Sequence, residues 1–276
     1  MAKAREKSSP GGEWDMRILS FTISVGGSGK SLLTACTAAQ VALNGHDVVV
    51  IDDAAEPMIG RLYGLNPDQI KNSLHKVVQY DRDVEEAIYE SPKIKGLKYI
   101  SSGIPLASYF DVDPVAFAEK IMNINADYLF MDMRHPAGLG AVLSLGVSHY
   151  YILGPLKSDE MMRSIDEAVD TMKLGILLRA VPLGFVINQP HKQLPIPDEL
   201  VKKLEDLFRV ECLAVIDYDP RLAGVFNEGI LPVTEWPKSR FSMAIHRIAE
   251  HIMGELPKPK KEDIAEFVRS FVRYIR

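Results

Sequence analysis

The chain has 276 residues, 47% of them hydrophobic and 25% charged, a formal net charge of −5 and two cysteines. This length and composition suit a globular protein with a sizeable core and exclude a disordered chain. The acidic balance argues against a strongly basic nucleic-acid-binding body, and Cys36 and Cys212 fit no metal-ligand spacing, so both are expected as buried, reduced thiols.

Residues 1–15 are polar and carry Lys3, Arg5, Lys7, Pro10, Gly11 and Gly12, without the apolar core that a secretion signal requires. No run approaches the roughly 18 apolar residues of a membrane span. The expectation is a cytoplasmic protein with a flexible segment at 1–15 and, at most, peripheral contact with a membrane.

Met16 to Ile23 is an apolar run that predicts a strand, and Ser31 to Asn44 carries a helical pattern. Between them stands Ser24-Val25-Gly26-Gly27-Ser28-Gly29-Lys30-Ser31. Its last three residues close the phosphate-loop pattern, and Ser24 occupies the position of the pattern's first Gly. A loop that wraps a polyphosphate must aim consecutive N–H groups inward and let oxygens approach closely, which glycines allow. Lys30 is placed to set an ammonium near the β and γ phosphates, Ser31 to offer its hydroxyl to Mg²⁺, and the following helix to add its N-terminal dipole. The expected nucleotide-binding residues are therefore Gly26, Gly27, Ser28, Gly29, Lys30, Ser31 and Leu32.

Gly45 closes the helix, and Asp47 to Ile51 reads as a fully buried strand with Asp52 and Asp53 at its end. Ligands of open α/β sheets gather at that edge, so both carboxylates are functional candidates; capping the next turn is the alternative. Residues 67–91 read as polar and helical. A strand at Leu97 to Ser101, a helix at Pro114 to Asn123 and an apolar run at Tyr128 to Met131 follow, the last ended by Asp132. An Asp after such a strand is the Walker B form, a carboxylate that holds Mg²⁺, often through water.

Further on, strands are predicted at 149–153, 182–188, 212–216 and 230–233, and helices at 158–172, 197–208, 220–226 and 239–253. Regular alternation means an α/β fold, a mostly parallel sheet with helices on both faces. A linker with Pro257, Lys258, Pro259, Lys260 and Lys261 then leads to a helix whose Ile264, Phe267, Val268, Phe271, Val272 and Ile275 make one wide apolar face. Three fates are open to that face: packing on its own domain, binding another protein, or lying on an anionic membrane through residues 261–276.

With these segments in place, the sequence resembles the MinD/ParA/Mrp family of deviant-Walker P-loop ATPases over about Met16 to Gly254, with 255–276 left as linker and C-terminal amphipathic helix. Val25 to Ser31 is similar to the family's Lys-Gly-Gly-x-Gly-Lys-Ser/Thr loop, and Val50-Ile51-Asp52-Asp53-Ala54 to its Val-x-Ile-Asp-x-Asp segment. Tyr128 to Gly138, Phe185 to Asn188, and Pro232-Val233 through Pro237-Lys238-Ser239 resemble three further family segments. The resemblance implies ATP or ADP with Mg²⁺, Asn188 reading the adenine edge, backbone around Pro237 closing over the base, and a nucleotide-dependent homodimer. In these terms Lys30, Asp53 and Asp132 are the catalytic candidates, and Ser31, Asp52 and Asp132 the metal candidates.

The chain departs from the family where hydrolysis is concerned. Val25 stands at the signature lysine, and such cationic stabilisers are worth about 10³-fold or more in rate. The second Asp of the Asp-x-Asp segment falls on Ala54, with Asp53 one position early, a shift that on a strand turns a side chain to the other face. The stretch from Asp132 to Gly138 is longer than the family's, and Arg134 and His135 inside it are candidates for a substitute charge. Binding groups are kept and hydrolytic groups are not. That pattern fits a nucleotide-operated switch with slow hydrolysis that controls dimerisation or partner binding. The competing readings are a pseudo-ATPase scaffold and a P-loop metabolite kinase or ligase.

Overall fold

A computed structural model describes residues 16–22, 25–54, 56, 58–133, 138–192 and 195–275. Eight strands form one sheet in the order β3-β4-β2-β5-β1-β6-β7-β8. They are β1 (Arg17–Thr22), β2 (Val48–Asp52), β3 (Tyr89–Glu90), β4 (Leu97–Ser101), β5 (Tyr128–Met133), β6 (Tyr150–Lys157), β7 (Val181–Asn188) and β8 (Cys212–Ile216). All pairings are parallel except that of β3 with β4. Central strands of a sheet covered on both faces need apolar residues at every position, and Val48 to Ile51 in β2 are wholly buried.

The helices are α1 (Lys30–Leu43), α2 (Met58–Leu62), α3 (Leu74–Gln79), α4 (Pro114–Met122), α5 (Gly138–Leu145), α6 (Met161–Leu177), α7 (Asp198–Phe208), α8 (Val225–Glu228), α9 (Pro232–Glu235), α10 (Arg240–Met253) and α11 (Ile264–Ile275). One face of the sheet packs on α1 and α10, with Phe21, Val50 and Phe130 against Leu33, Ala38, Ile245 and Ile248. The other face carries α3, α4, α5 and α11 over β2 and β5, and α6 and α7 over β6 and β7. The α/β reading and the C-terminal helix therefore both stand.

Several predicted elements differ. Residues 67–91 do not form a continuous helix: Ser73, whose hydroxyl accepts the Lys76 N–H, opens a short α3, and Asp81, at φ 49°, follows its end. Residues 230–233 are not a strand, because Pro232 lacks the N–H for a ladder and instead starts the one-turn α9. The helix expected at 220–226 is divided by Gly224 at φ 88° into a 3₁₀ turn and α8. Asp132 lies within β5 rather than ending it, and α2 and α5 are helices for which no prediction was made.

The apolar face of α11 is covered along residues 264–272, and the Ile275 side chain lies outside the described residues. Ile264, Val268 and Val272 are buried with α4 and α5, Phe267 and Phe271 pack at the edge of that layer, and Arg269 bridges to Glu119 of α4 at 3.1 Å. Of the three fates, packing on its own domain is the one this face takes, so membrane or partner binding through it would require undocking. Lys261, expected in a linker, is buried, and its Nζ donates to the carbonyls of Leu145 and Gly146 at 2.7 and 3.0 Å. Among the described residues no helix is long and apolar enough to cross a membrane.

Candidate nucleotide site

The site lies at the C-terminal edge of the sheet, where β1 runs into the glycine loop and α1. Gly27 and Gly29 hold φ of 70° and 91°, left-handed values that side chains disfavour. The first intrahelical bond of α1 runs from the Leu33 N–H to the Gly29 carbonyl at 2.9 Å. The N–H groups of Lys30, Ser31 and Leu32 thus precede the helical ladder, and no side chain caps the helix among the described residues. Donors in that state are a ready anion site. Leu32 contributes its N–H alone, since its side chain is buried in the core.

Asp132 is the centre of the charge arrangement. Ser31 Oγ donates to its Oδ2 at 2.5 Å, and Lys30 Nζ stands 3.8 Å from its Oδ1. That Oδ1 is buried and accepts no hydrogen bond. A bare, buried carboxylate oxygen next to a serine hydroxyl fits a hard divalent cation, which takes oxygen ligands and retains several waters. Ser31 and Asp132 are therefore the pair that fits Mg²⁺. No cluster of three or more His, Cys, Asp or Glu with metal-binding geometry occurs among the described residues.

Asp52 is the register partner of Asp132 across β2 and β5. Its Oδ2 is already taken by the Ile59 N–H and the Tyr99 hydroxyl, both at 3.1 Å. Burial, reinforced by the nearby Asp132 charge, pushes its carboxyl up to about 8. Asp52 thus anchors the start of α2, and of the expected metal carboxylates Asp132 presents the open oxygen. Tyr99 escaped sequence reasoning: a tyrosine within an apolar strand carries no local sign that its hydroxyl meets a carboxylate.

Asp53 stands next to Asp132, its N–H donating to the Asp132 carbonyl at 3.2 Å. Its Oδ1 accepts the Leu106 N–H at 2.6 Å, and Leu106 belongs to the layer with α4 and α5, on the face of the sheet away from α1. Ala54, at the vacant position, is buried. Val25 is 3% exposed and packs with Leu153, Leu156 and Ile187 under α6. The position of the signature lysine is consequently part of the core.

Asn188, at the end of β7, donates from Nδ2 to the Ser28 carbonyl at 2.7 Å. A Cβ on Gly29 would lie 2.9 Å from that Nδ2, so glycine is required for the approach. Bracing the loop is a task that the resemblance did not suggest for this residue. Pro237 is exposed and lies between two ties to the segment after β8: Arg221 stacks on Trp236 with 5.1 Å to the ring centre, and Arg240 pairs with Asp217 at 3.0 Å. Ser24, Arg134 and His135 lie outside the described residues.

A parallel sheet with a glycine loop, an uncapped helix start, and a lysine, serine and aspartate in contact defines a P-loop nucleotide-binding protein. Residues 19–233 match the family model of the CobQ/CobB/MinD/ParA nucleotide binding domain. The chain belongs to that family. An uncharacterised ATP-binding protein of Methanocaldococcus jannaschii is 24% identical over 92% of this chain and 94% of its own length. Among solved structures, the septum site-determining protein MinD of Pyrococcus horikoshii, complexed with Mg-ADP, is similar with a TM-score of 0.71 and 25% identity, covering 86% of this chain and 96% of that one. The cell division ATPase MinD of Pyrococcus furiosus gives a TM-score of 0.70 and 27% identity over 86% and 98%.

Proposed function

We propose that the protein is a nucleotide-operated switch: an adenine nucleotide with Mg²⁺ binds at Gly26 to Leu32 and Asp132, and its presence changes self-association or affinity for a protein partner, with hydrolysis slow. The observation that carries this reading is the Asp132 carboxylate, one oxygen held by Ser31 and the other buried and bare beside Lys30. Similarity to proteins described as ATP-binding, and to one solved with Mg-ADP, supports it.

Each residue has a definable task. The N–H groups at the start of α1 donate to phosphate oxygens, and Lys30 neutralises charge on the outer phosphates. Ser31 and Asp132 would hold the cation, which would supply positive charge to screen the phosphates. Asn188 keeps the loop in shape through Ser28, with the rest of its amide available to a base. Two groups that speed hydrolysis in the family have no counterpart, since Val25 is sealed in the core and Ala54 is a methyl.

Calorimetry with ATP and Mg²⁺ tests the binding step: wild type binds saturably, Lys30→Ala weakens binding about 100-fold, and sedimentation with and without nucleotide reports the change in self-association. Absence of saturable binding of ATP, ADP or GTP overturns the reading. Val25 and Ala54 favour a second one, a scaffold that binds nucleotide without turning it over. Phosphate release at a steady rate, abolished in Lys30→Ala, excludes that alternative.

A further inference from the structure

A second cleft opens at the same edge of the sheet, beyond the end of β4. It measures about 260 Å³ and lies between residues 67–76 and 101–104, lined by Lys71, Asn72, Ser73, His75, Lys76 and Ser101 among others. Among the described residues no carboxylate lines it, and His75, which does, is paired with Asp111 at 3.0 Å. The cleft is preformed. The Tyr89 hydroxyl accepts the N–H groups of Lys71 and Asn72 at 2.9 Å each, and Lys76 Nζ folds back to the Lys71 carbonyl at 3.2 Å. Gly103 presses so closely that a Cβ there would lie 2.4 Å from Ser73 Oγ.

We propose that this cleft binds a small dianion, a metabolite bearing a phosphate or a pair of carboxylates, next to the nucleotide site. Two ammonium groups without an acidic neighbour in the lining select a ligand of about two negative charges, while Asn72, Ser73 and Ser101 supply neutral polar contacts. The volume lies just below that of drug-sized pockets, which sets the ligand at the size of a small metabolite. The cleft also adjoins the nucleotide machinery: Ser101 is the register partner of Asp52 across β4 and β2, and Asp52 is that of Asp132 across β2 and β5. A ligand contacting Ser101 thus lies two strands from the Walker B carboxylate.

The test is calorimetric titration of the full chain with inorganic phosphate and, separately, with malonate, in wild type, Lys30→Ala and Lys71→Ala/Lys76→Ala. Lys30→Ala removes anion binding at the glycine loop, so a cleft signal persists there whether or not the loop binds nucleotide. Saturable binding that survives Lys30→Ala and falls about tenfold or more in the double variant is expected. Response to phosphate alone marks a phosphorylated ligand, response to malonate alone a dicarboxylate, and response to both a dianion of either kind. Both lysines are exposed, and Lys76→Gln alone supplies the measurement if the double variant fails to fold. Saturation by neither probe, or equal affinity in wild type and double variant, overturns the proposal.

Discussion

Asn188 and Ser28 are joined by a hydrogen bond of 2.7 Å that fastens the phosphate loop to the end of β7. The bond links the two halves of the site across the sheet, and its removal unfastens the loop without touching Lys30 or Asp132. Asn188→Ala is expected to lower stability by about 1 kcal/mol and nucleotide affinity roughly fivefold. Asn188→Asp, which sets a carboxylate against a carbonyl oxygen, weakens affinity further. Thermal unfolding and calorimetry on the two variants check the order.

A lysine introduced at position 25 is expected not to raise turnover. Val25 is packed among Leu153, Leu156 and Ile187, and an ammonium there has no partner to offset the loss of water. Val25→Lys is expected to cost on the order of 3 kcal/mol or more in stability, with no rise in phosphate release. Urea unfolding alongside a turnover assay decides it, and an active, equally stable variant would show that the segment reorganises.

The cation is expected to act through Asp132. Removing Mg²⁺ with a chelator should weaken nucleotide binding by about tenfold in wild type, whereas Asp132→Asn, which keeps the shape and loses the charge, binds weakly with or without Mg²⁺. Comparing the two ratios separates the metal contribution from any general damage.

Lys261 makes a pH-dependent contribution. Burial lowers its pKa from 10.5 to about 7, so below pH 7 it is charged in both the folded and the unfolded chain and the penalty of burying it is full. Between pH 7 and 10.5 the folded chain has released the proton while the unfolded chain keeps it, so this contribution to stability rises with pH, by up to about 1.4 kcal/mol per unit. Asp52 and His149, displaced to about 8 and about 4, add slopes of their own. The measurement is therefore the difference in unfolding free energy between wild type and Lys261→Met from pH 6.5 to 8.5. A difference that does not change over this range would remove the assignment.

The fold and the phosphate loop were largely legible because they rest on local signals. Apolar runs such as Val48 to Ile51 declare buried strands, and Gly29-Lys30-Ser31 has a spacing tied to its chemistry. What was hidden depends on partners distant in sequence. Tyr99 meets Asp52 only because β4 lies beside β2, and Asn188 meets Ser28 only because the end of β7 and the phosphate loop share one edge of the sheet. Asp53 could be argued either way from sequence, since strand alternation and strand-end bending point in opposite directions, and its bond to the Leu106 N–H depends on a segment 53 residues away. Lys261 looked like a linker charge because a lysine in a stretch rich in proline and lysine gives no sign that the carbonyls ending α5 will surround it.

The burial of Ile264, Val268 and Val272 bears on biosynthesis. These residues complete the layer formed by α4 and α5, yet they are translated more than a hundred residues after α5. The glycine loop, β1 and α1 emerge early, but the apolar surface of α4 and α5 that α11 covers stays open until residues 264–272 are made. A chaperone that shelters that surface on nascent chains should let go once α11 docks.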